Sequence, residues 1–223
     1  MINKNSDYNH LVISNGLKKF FLFLVILFFA HLSFNFRIWQ EFFSNQATNL
    51  QVSDATITEF IAETGYRKLQ AGQNPFSYTN KLFYPFGANY SMNDPGITNS
   101  LFFIVLRPVL SIHQATLLIV ISNLILAGVL MYWLLLKLSK SSFASGLFAL
   151  IFTFMPFISQ RLMGHFAYTA IYFFPAIGLI LLYFLETPSA KTKVFLSLLF
   201  GFLLSMLLYS NFYYFIMICL SLG

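Results

Sequence analysis

ATLLIVISNLILAGVLMYWLLL, Ala115 to Leu136, is a run of 22 residues without one charged side chain. A membrane-spanning helix needs about 20 predominantly apolar residues, so this run is read as a span. Working outward, further apolar runs occupy about Phe143–Ile158, Phe166–Leu185 and Val194–Tyr209, with another begun at Phe212. Toward the N-terminus there is a single one, Phe20–Phe36, which the flanking Phe42 and Phe43 can extend. The whole chain is 58% hydrophobic and only 9% charged, with a mean hydropathy of +0.72. Soluble domains carry roughly 25% charged residues, so the shortfall decides the class. The expected fold is all-α, that of a polytopic membrane protein.

The net charge of +6 does not point to nucleic acid, because no basic cluster with interleaved aromatics lies outside the spans. Most lysines stand at span ends, where they set orientation. Lys4, Lys18 and Lys19 put the N-terminus in the cytoplasm, and residues 1–19 form its cytoplasmic segment. Residues 20–36 are then the first span, 37–113 an extracytoplasmic loop, and 114–223 a transmembrane bundle. The apolar segment Ile97–Leu110, interrupted by Arg107-Pro108, is the one ambiguous case. If it crossed, Lys137, Lys140, Lys191 and Lys193 would all lie outside. If it stays at the outer surface they join the other lysines inside, and the segment is in any case short for a span. It is therefore read as interfacial. Phe20–Phe36 is read as a retained signal anchor, since no small-residue cleavage site follows it. The apolar ending ICLSLG has no polar tail, so the expectation is either a truncated gene product, its bundle cut at the C-terminal end, or spans that continue beyond it. The single cysteine, Cys219, excludes an internal disulfide and a multi-cysteine metal site.

The loop concentrates the acidic residues: Glu41, Asp54, Glu59, Glu63 and Asp94 are five of the seven in the chain. Within SDATITEFIAETGYRKLQAGQNPF, Ser53–Phe76, Thr56 and Glu59 have capping-box spacing, with Asp54 just ahead at the positive helix end. The predicted helix, about Ile57–Ala71, turns Ile57, Phe60, Ile61 and Leu69 toward the membrane surface. Gly72 and Asn74-Pro75 end it. Tyr84-Pro85-Phe86-Gly87 and Asn89 read as turns, not a strand. Asp94-Pro95 reads as the start of the next short helix.

Asp54 has two readings, a plain N-cap or a carboxylate with chemistry at the outer membrane edge. Asp94 has the same pair, a cap or turn role against a catalytic one. Glu59 and Glu63 read as a solvated helix face, with Arg67 four residues beyond Glu63. In the outer turn Gln160-Arg161-Leu162-Met163-Gly164-His165, Arg161 and His165 suit a phosphate, through a bidentate guanidinium and an imidazole donor. The competing reading of Arg161 is an arginine snorkelling to lipid headgroups. Arg107 either reaches the same anion or anchors its helix, and a lone His165 specifies no metal geometry. His31, Asn35, Ser122 and Asn123 read as hydrogen-bonders between helices, and His113 only as the start of a span.

The ordered set of these features resembles the GT-C superfamily of membrane glycosyltransferases, and within it the YfhO-like bacterial members. The resemblance covers about Lys19–Glu186. It rests on an acidic residue opening the first outer loop, the YPFG turn, and QRLMGHFAYTAIYFFPA with its R-x-x-GH turn. It implies an inverting transfer of a sugar from a polyprenyl-phosphate carrier to a glycan, lipid or protein acceptor hydroxyl. Asp54 would be the base, with Arg161, His165 and Arg107 on the phosphate. Some members hold a divalent metal, Mg or Mn, with a second loop acid, for which Asp94 is the nearest position. Many carry paired acids at the first site where this chain has Ser53-Asp54-Ala55. The implied location is the bacterial inner membrane. The other open classes are a transport or polysaccharide-handling protein and a non-catalytic relative. No phosphate-binding glycine loop, HExxH, nucleophile elbow or dinucleotide fingerprint is present.

Overall fold

A computed structural model describes residues 4–45, 54–79, 88–89, 96–161 and 166–222. The protein is all-α: α1 (Lys4–Phe34), α2 (Phe36–Ser44), α3 (Asp54–Gln70), α4 (Gly96–Leu106), α5 (Ile112–Ser139), α6 (Ser142–Thr153), α7 (Pro156–Arg161), α8 (Phe173–Glu186), α9 (Ala190–Ser210) and α10 (Phe212–Leu222). Among the described residues, Gly16–Phe34, Ile112–Ser139, Phe166–Glu186 and Ala190–Ser210 are long and apolar enough to cross a membrane. A two-residue antiparallel ladder joins β1 (Tyr78–Thr79) to β2 (Ala88–Asn89). Asn89 therefore pairs with Tyr78 as strand, where a turn was expected, while 84–87 lie outside the described residues.

Helix α5 is the axis. Its first turn is closed by a reciprocal cap: Ser111 Oγ accepts from Gln114 N at 3.2 Å, and Gln114 Oε1 accepts from Ser111 N at 3.3 Å. Its other end closes on Lys140, left-handed at φ 58°, whose N–H donates to Leu136 O. Around it, Leu117, Val120, Ile121 and Leu124 pack with Phe173, Ile177, Leu207 and Tyr214 in the main core. Phe23 and Leu27 of α1 pack with Tyr132 and Ala149 in a second. Gly128 lets these helices close: a Cβ there would meet Thr153 Oγ1 at 2.8 Å and Leu27 at 3.1 Å. Many large apolar side chains elsewhere face outward, Phe21, Phe195 and Leu198 among them, as suits a helix surface bathed in lipid.

The chain breaks in places where continuous spans were expected. Asn35, at φ −111° and ψ 31°, separates α1 from α2, so Phe42 and Phe43 belong to a separate amphipathic helix and do not extend the first span. Pro156 divides Phe143–Ile158 into α6 and α7, because proline has no N–H and disfavours helical geometry in the residue before it. Helix α4 has 11 residues, roughly 16 Å, against roughly 42 Å for the 28 residues of α5. Both of its ends are tied to the same end of the bundle. Thr98 shares a hydrogen bond with Ser210 at the end of α9, and Arg107 just beyond α4 binds Glu63 of α3.

Several polar side chains inside the bundle are paired, although His31 Nε2 and Trp39 Nε1 are buried without a hydrogen-bond partner among the described residues. Asn123 donates to Asn99 Oδ1 at 3.0 Å and to Thr169 Oγ1 at 2.9 Å, and Thr169 donates to Phe166 O at 2.7 Å. This joins α4, α5 and the 3-10 turn Phe166–Thr169, as expected of Asn123. His31 and Asn35 differ from expectation. They bond each other along one stretch of chain, Nδ2 to Nδ1 at 3.0 Å, next to the break that Asn35 makes. Ser122 is exposed.

Candidate functional site

The polar loop docks on the first turn of α5 through charged groups. Helix α3 starts at Asp54, so Thr56 sits inside its first turn and the Thr56–Glu59 capping box is not the helix start. The other end follows expectation. Gly72 has φ 70°, Gln73 N donates to Lys68 O at 2.8 Å, and Gly72 N donates to Leu69 O at 2.9 Å. That is a Schellman closure, which relieves the last carbonyls of the helix. The chain then folds back along α3. Lys68 Nζ donates to Ser77 O at 2.9 Å, Ser77 Oγ at 3.1 Å and Tyr78 O at 2.9 Å. Gly65 admits the close pass of Pro75, whose carbonyl would lie 3.3 Å from a Cβ.

The fold-back encloses a cavity of about 840 Å³. Its wall includes Thr56, Glu59, Glu63, Arg67 and Lys68 of α3, with Tyr78 opposite. Successive i, i+4 positions put Glu59, Glu63 and Arg67 on one helix face. Its two carboxylates are not solvated, at 13% and 12% side-chain exposure for Glu59 and Glu63. Glu63 is buried, accepting from Arg67 Nε at 2.8 Å and from Arg107 Nε at 2.7 Å. Arg107 also donates to Leu110 O at 3.1 Å and lies 5.6 Å from the Tyr66 ring centre. Glu59 Oε1 lies 3.0 Å from His113 Nδ1, and Glu41 Oε2 of α2 lies 3.4 Å from His113 Nε2. One imidazole thus bridges carboxylates from two helices. The apolar side chains of α3 divide: Ile57, Phe60 and Leu69 face outward, whereas Ile61 turns into the protein and is 5% exposed.

Electrostatics follow the packing. Burial pushes the Glu63 carboxyl up, but hydrogen bonds and charge from Arg107 and Arg67 outweigh it and leave the group below its ordinary value. At Glu41 burial prevails over the pull of His113 and Arg37, and the carboxyl is raised.

Asp54 heads the helix whose Thr56 and Glu59 line the cavity, though its side chain lies outside the described part. Arg161 ends α7, its side chain likewise outside, and His165 and Asp94 lie outside the described residues. The turn carrying His165 leads directly into Phe166, which lies with Thr58 and Ala62 of α3 around a small void. Arg107 is engaged with Glu63; Arg67, engaged with the same carboxylate, and Lys68, engaged with Ser77 and Tyr78, line the cavity. A divalent metal does not fit the described donors: no group of three His, Cys, Asp or Glu side chains is placed to hold one among the described residues. Glu63 is engaged by two guanidiniums and Glu59 by His113. Sequence reasoning missed Glu41 and His113. The available signal was the position of Glu41 three residues after Ile38, on the apolar face of α2, where a carboxylate requires a polar partner.

These features define an all-α protein of membrane type whose polar loop carries a charged cavity at one end of its central helix. The chain belongs to the DUF6311 family, a domain of unknown function, whose model matches residues 23–223. No curated protein and no solved structure matches it.

Proposed function

We propose that the protein is a multi-pass membrane glycosyltransferase of GT-C type, using a sugar carried on polyprenyl phosphate. The observation that carries this reading is the cavity of about 840 Å³ walled by the loop helix that Asp54 begins, with carboxylates and cations on the same wall. Its volume suits a sugar phosphate. Orientation follows from the lysines. Lys18 and Lys19 before α1's apolar stretch, Lys137 and Lys140 at the end of α5, and Lys191 and Lys193 at the start of α9 mark one end of the helices. By the positive-inside rule that end is cytoplasmic, and the cavity is extracytoplasmic.

In the proposed reaction the acceptor hydroxyl oxygen bonds to the anomeric carbon as that carbon's bond to the phosphate oxygen breaks. The electron pair leaves with the polyprenyl phosphate, the hydroxyl proton passes to Asp54, and the configuration inverts. Arg67 and Lys68, lining the cavity, favour the departing phosphate, together with Arg161 and His165, which the resemblance to GT-C enzymes assigns to it. Glu63 and Arg107 hold the wall.

The test is sugar transfer by the reconstituted full-length protein from polyprenyl-phosphate sugars. Asp54→Asn is expected to lower turnover by at least about 100-fold, the range of general-base contributions. Unchanged turnover removes Asp54 from the mechanism. Binding without turnover in the wild type favours a role in transport or polysaccharide handling.

A further inference from the structure

A second cavity lies at the opposite end of α5, in the groove between α1 and the start of α6, with a volume of about 660 Å³. Its walls are apolar and outward-facing: Leu22 is 58% exposed, Ile26 45%, Phe143 82% and Leu147 46%. Its mouth is basic, formed by Lys19 and Lys140. From Lys19 to Ile26 the groove runs roughly 10 Å along α1, deep enough for part of an acyl chain. Among the described residues neither lysine has a carboxylate in salt-bridge range, whereas Lys137 is held by Glu186 at 2.5 Å. Lys140 is fixed at the α5–α6 corner by its left-handed backbone and its N–H bond to Leu136 O. Two unneutralised ammonium groups above an apolar slot are complementary to a headgroup of net negative charge with its tail below.

We propose that this groove binds one anionic phospholipid, its headgroup between Lys19 and Lys140 and an acyl chain along α1 and α6. The assignment does not depend on the reading of the loop cavity. A zwitterionic lipid fills the same slot but gains less from the lysines, so selectivity belongs to the mouth and affinity to the walls.

The experiment reconstitutes the full chain in vesicles of equal phosphatidylglycerol and phosphatidylcholine, then measures co-purifying lipid by native mass spectrometry. The wild type is expected to retain phosphatidylglycerol preferentially. A lysine near an anionic headgroup contributes about fivefold, so Lys19→Gln with Lys140→Gln should lower that preference about 30-fold. Lys191→Gln with Lys193→Gln, altering charge elsewhere at the same end, should leave it intact. Gly146→Leu, which narrows the slot with both lysines present, should reduce retention of both lipids. Equal retention of the two lipids by the wild type overturns the proposal, as does an equal loss in the Lys191 and Lys193 variant. Displacement of lipid by inorganic phosphate, or a second copy of the chain in the groove, also overturns it.

Discussion

Glu63 and Arg107 meet at 2.7 Å across 44 positions of sequence, joining the loop helix to the turn that follows α4. The Glu63 side chain is 12% exposed and that of Arg107 25%, so water weakens the contact only in part. Removing one member of such a pair leaves the other desolvated. Glu63→Gln is expected to lower stability by about 2–3 kcal/mol, a value below that for a fully buried pair. Arg67→Gln should change it by less than about 1 kcal/mol, because the Arg67 side chain is 72% exposed. Thermal unfolding in detergent measures both, and equal effects would contradict this division.

The two displaced carboxyls give opposite pH slopes. Glu63 lies below its ordinary value of 4.5, so its contribution is present above that value and disappears as pH falls through the folded-state value. Glu41 lies above 4.5, so the folded state holds its proton more tightly, and its contribution is present in acid and lost as pH rises through the raised value. Glu63→Gln should flatten the stability profile below about pH 4.5, and Glu41→Gln should flatten it just above. Denaturation midpoints across that range provide the check. The same change of slope in both variants would exclude the assignment.

Gly96 has φ 78°, and a Cβ there would lie 2.4 Å from the backbone oxygen of Ser210. Neither problem can be relieved by rotating a side chain. Gly96→Ala should destabilise by at least about 1–3 kcal/mol from the backbone conformation alone. Gly201 is helical with open space around it, so Gly201→Ala should stabilise by a few tenths to about 1 kcal/mol. Unfolding midpoints of the two variants should move in opposite directions.

Asn123→Leu removes donors to Asn99 and Thr169 together. Hydrogen bonds between helices in membranes average about 0.6 kcal/mol, so a loss of about 1–2 kcal/mol is expected for the two. A double-mutant cycle with Thr169→Val isolates the second bond, and a coupling near zero would show that it adds nothing.

Much of the helical content was legible because apolar runs and their lysine flanks have physical causes that act locally. The Gly72 stop belongs to this class, as does the Ser111 cap in retrospect. Pro156 is visible too, but it stands inside a run that is apolar throughout, so composition there still favours one continuous span. The charged cluster was harder to read. Glu59 and Glu63 resemble a solvated helix face until Arg107 and His113 arrive from distant sequence, and a spacing rule on one helix contains no information about that meeting. The role of His113 is illegible for the same reason, since its carboxylate partners, Glu59 and Glu41, lie 54 and 72 positions away. Asp54, a functional expectation from resemblance, heads the helix that walls the cavity.

Helix α5 has Ile112 in the wall of one cavity and ends at Lys140, in the mouth of the other. One unbroken helix of roughly 42 Å is thus the shared frame of two cavities that lie about its whole length apart.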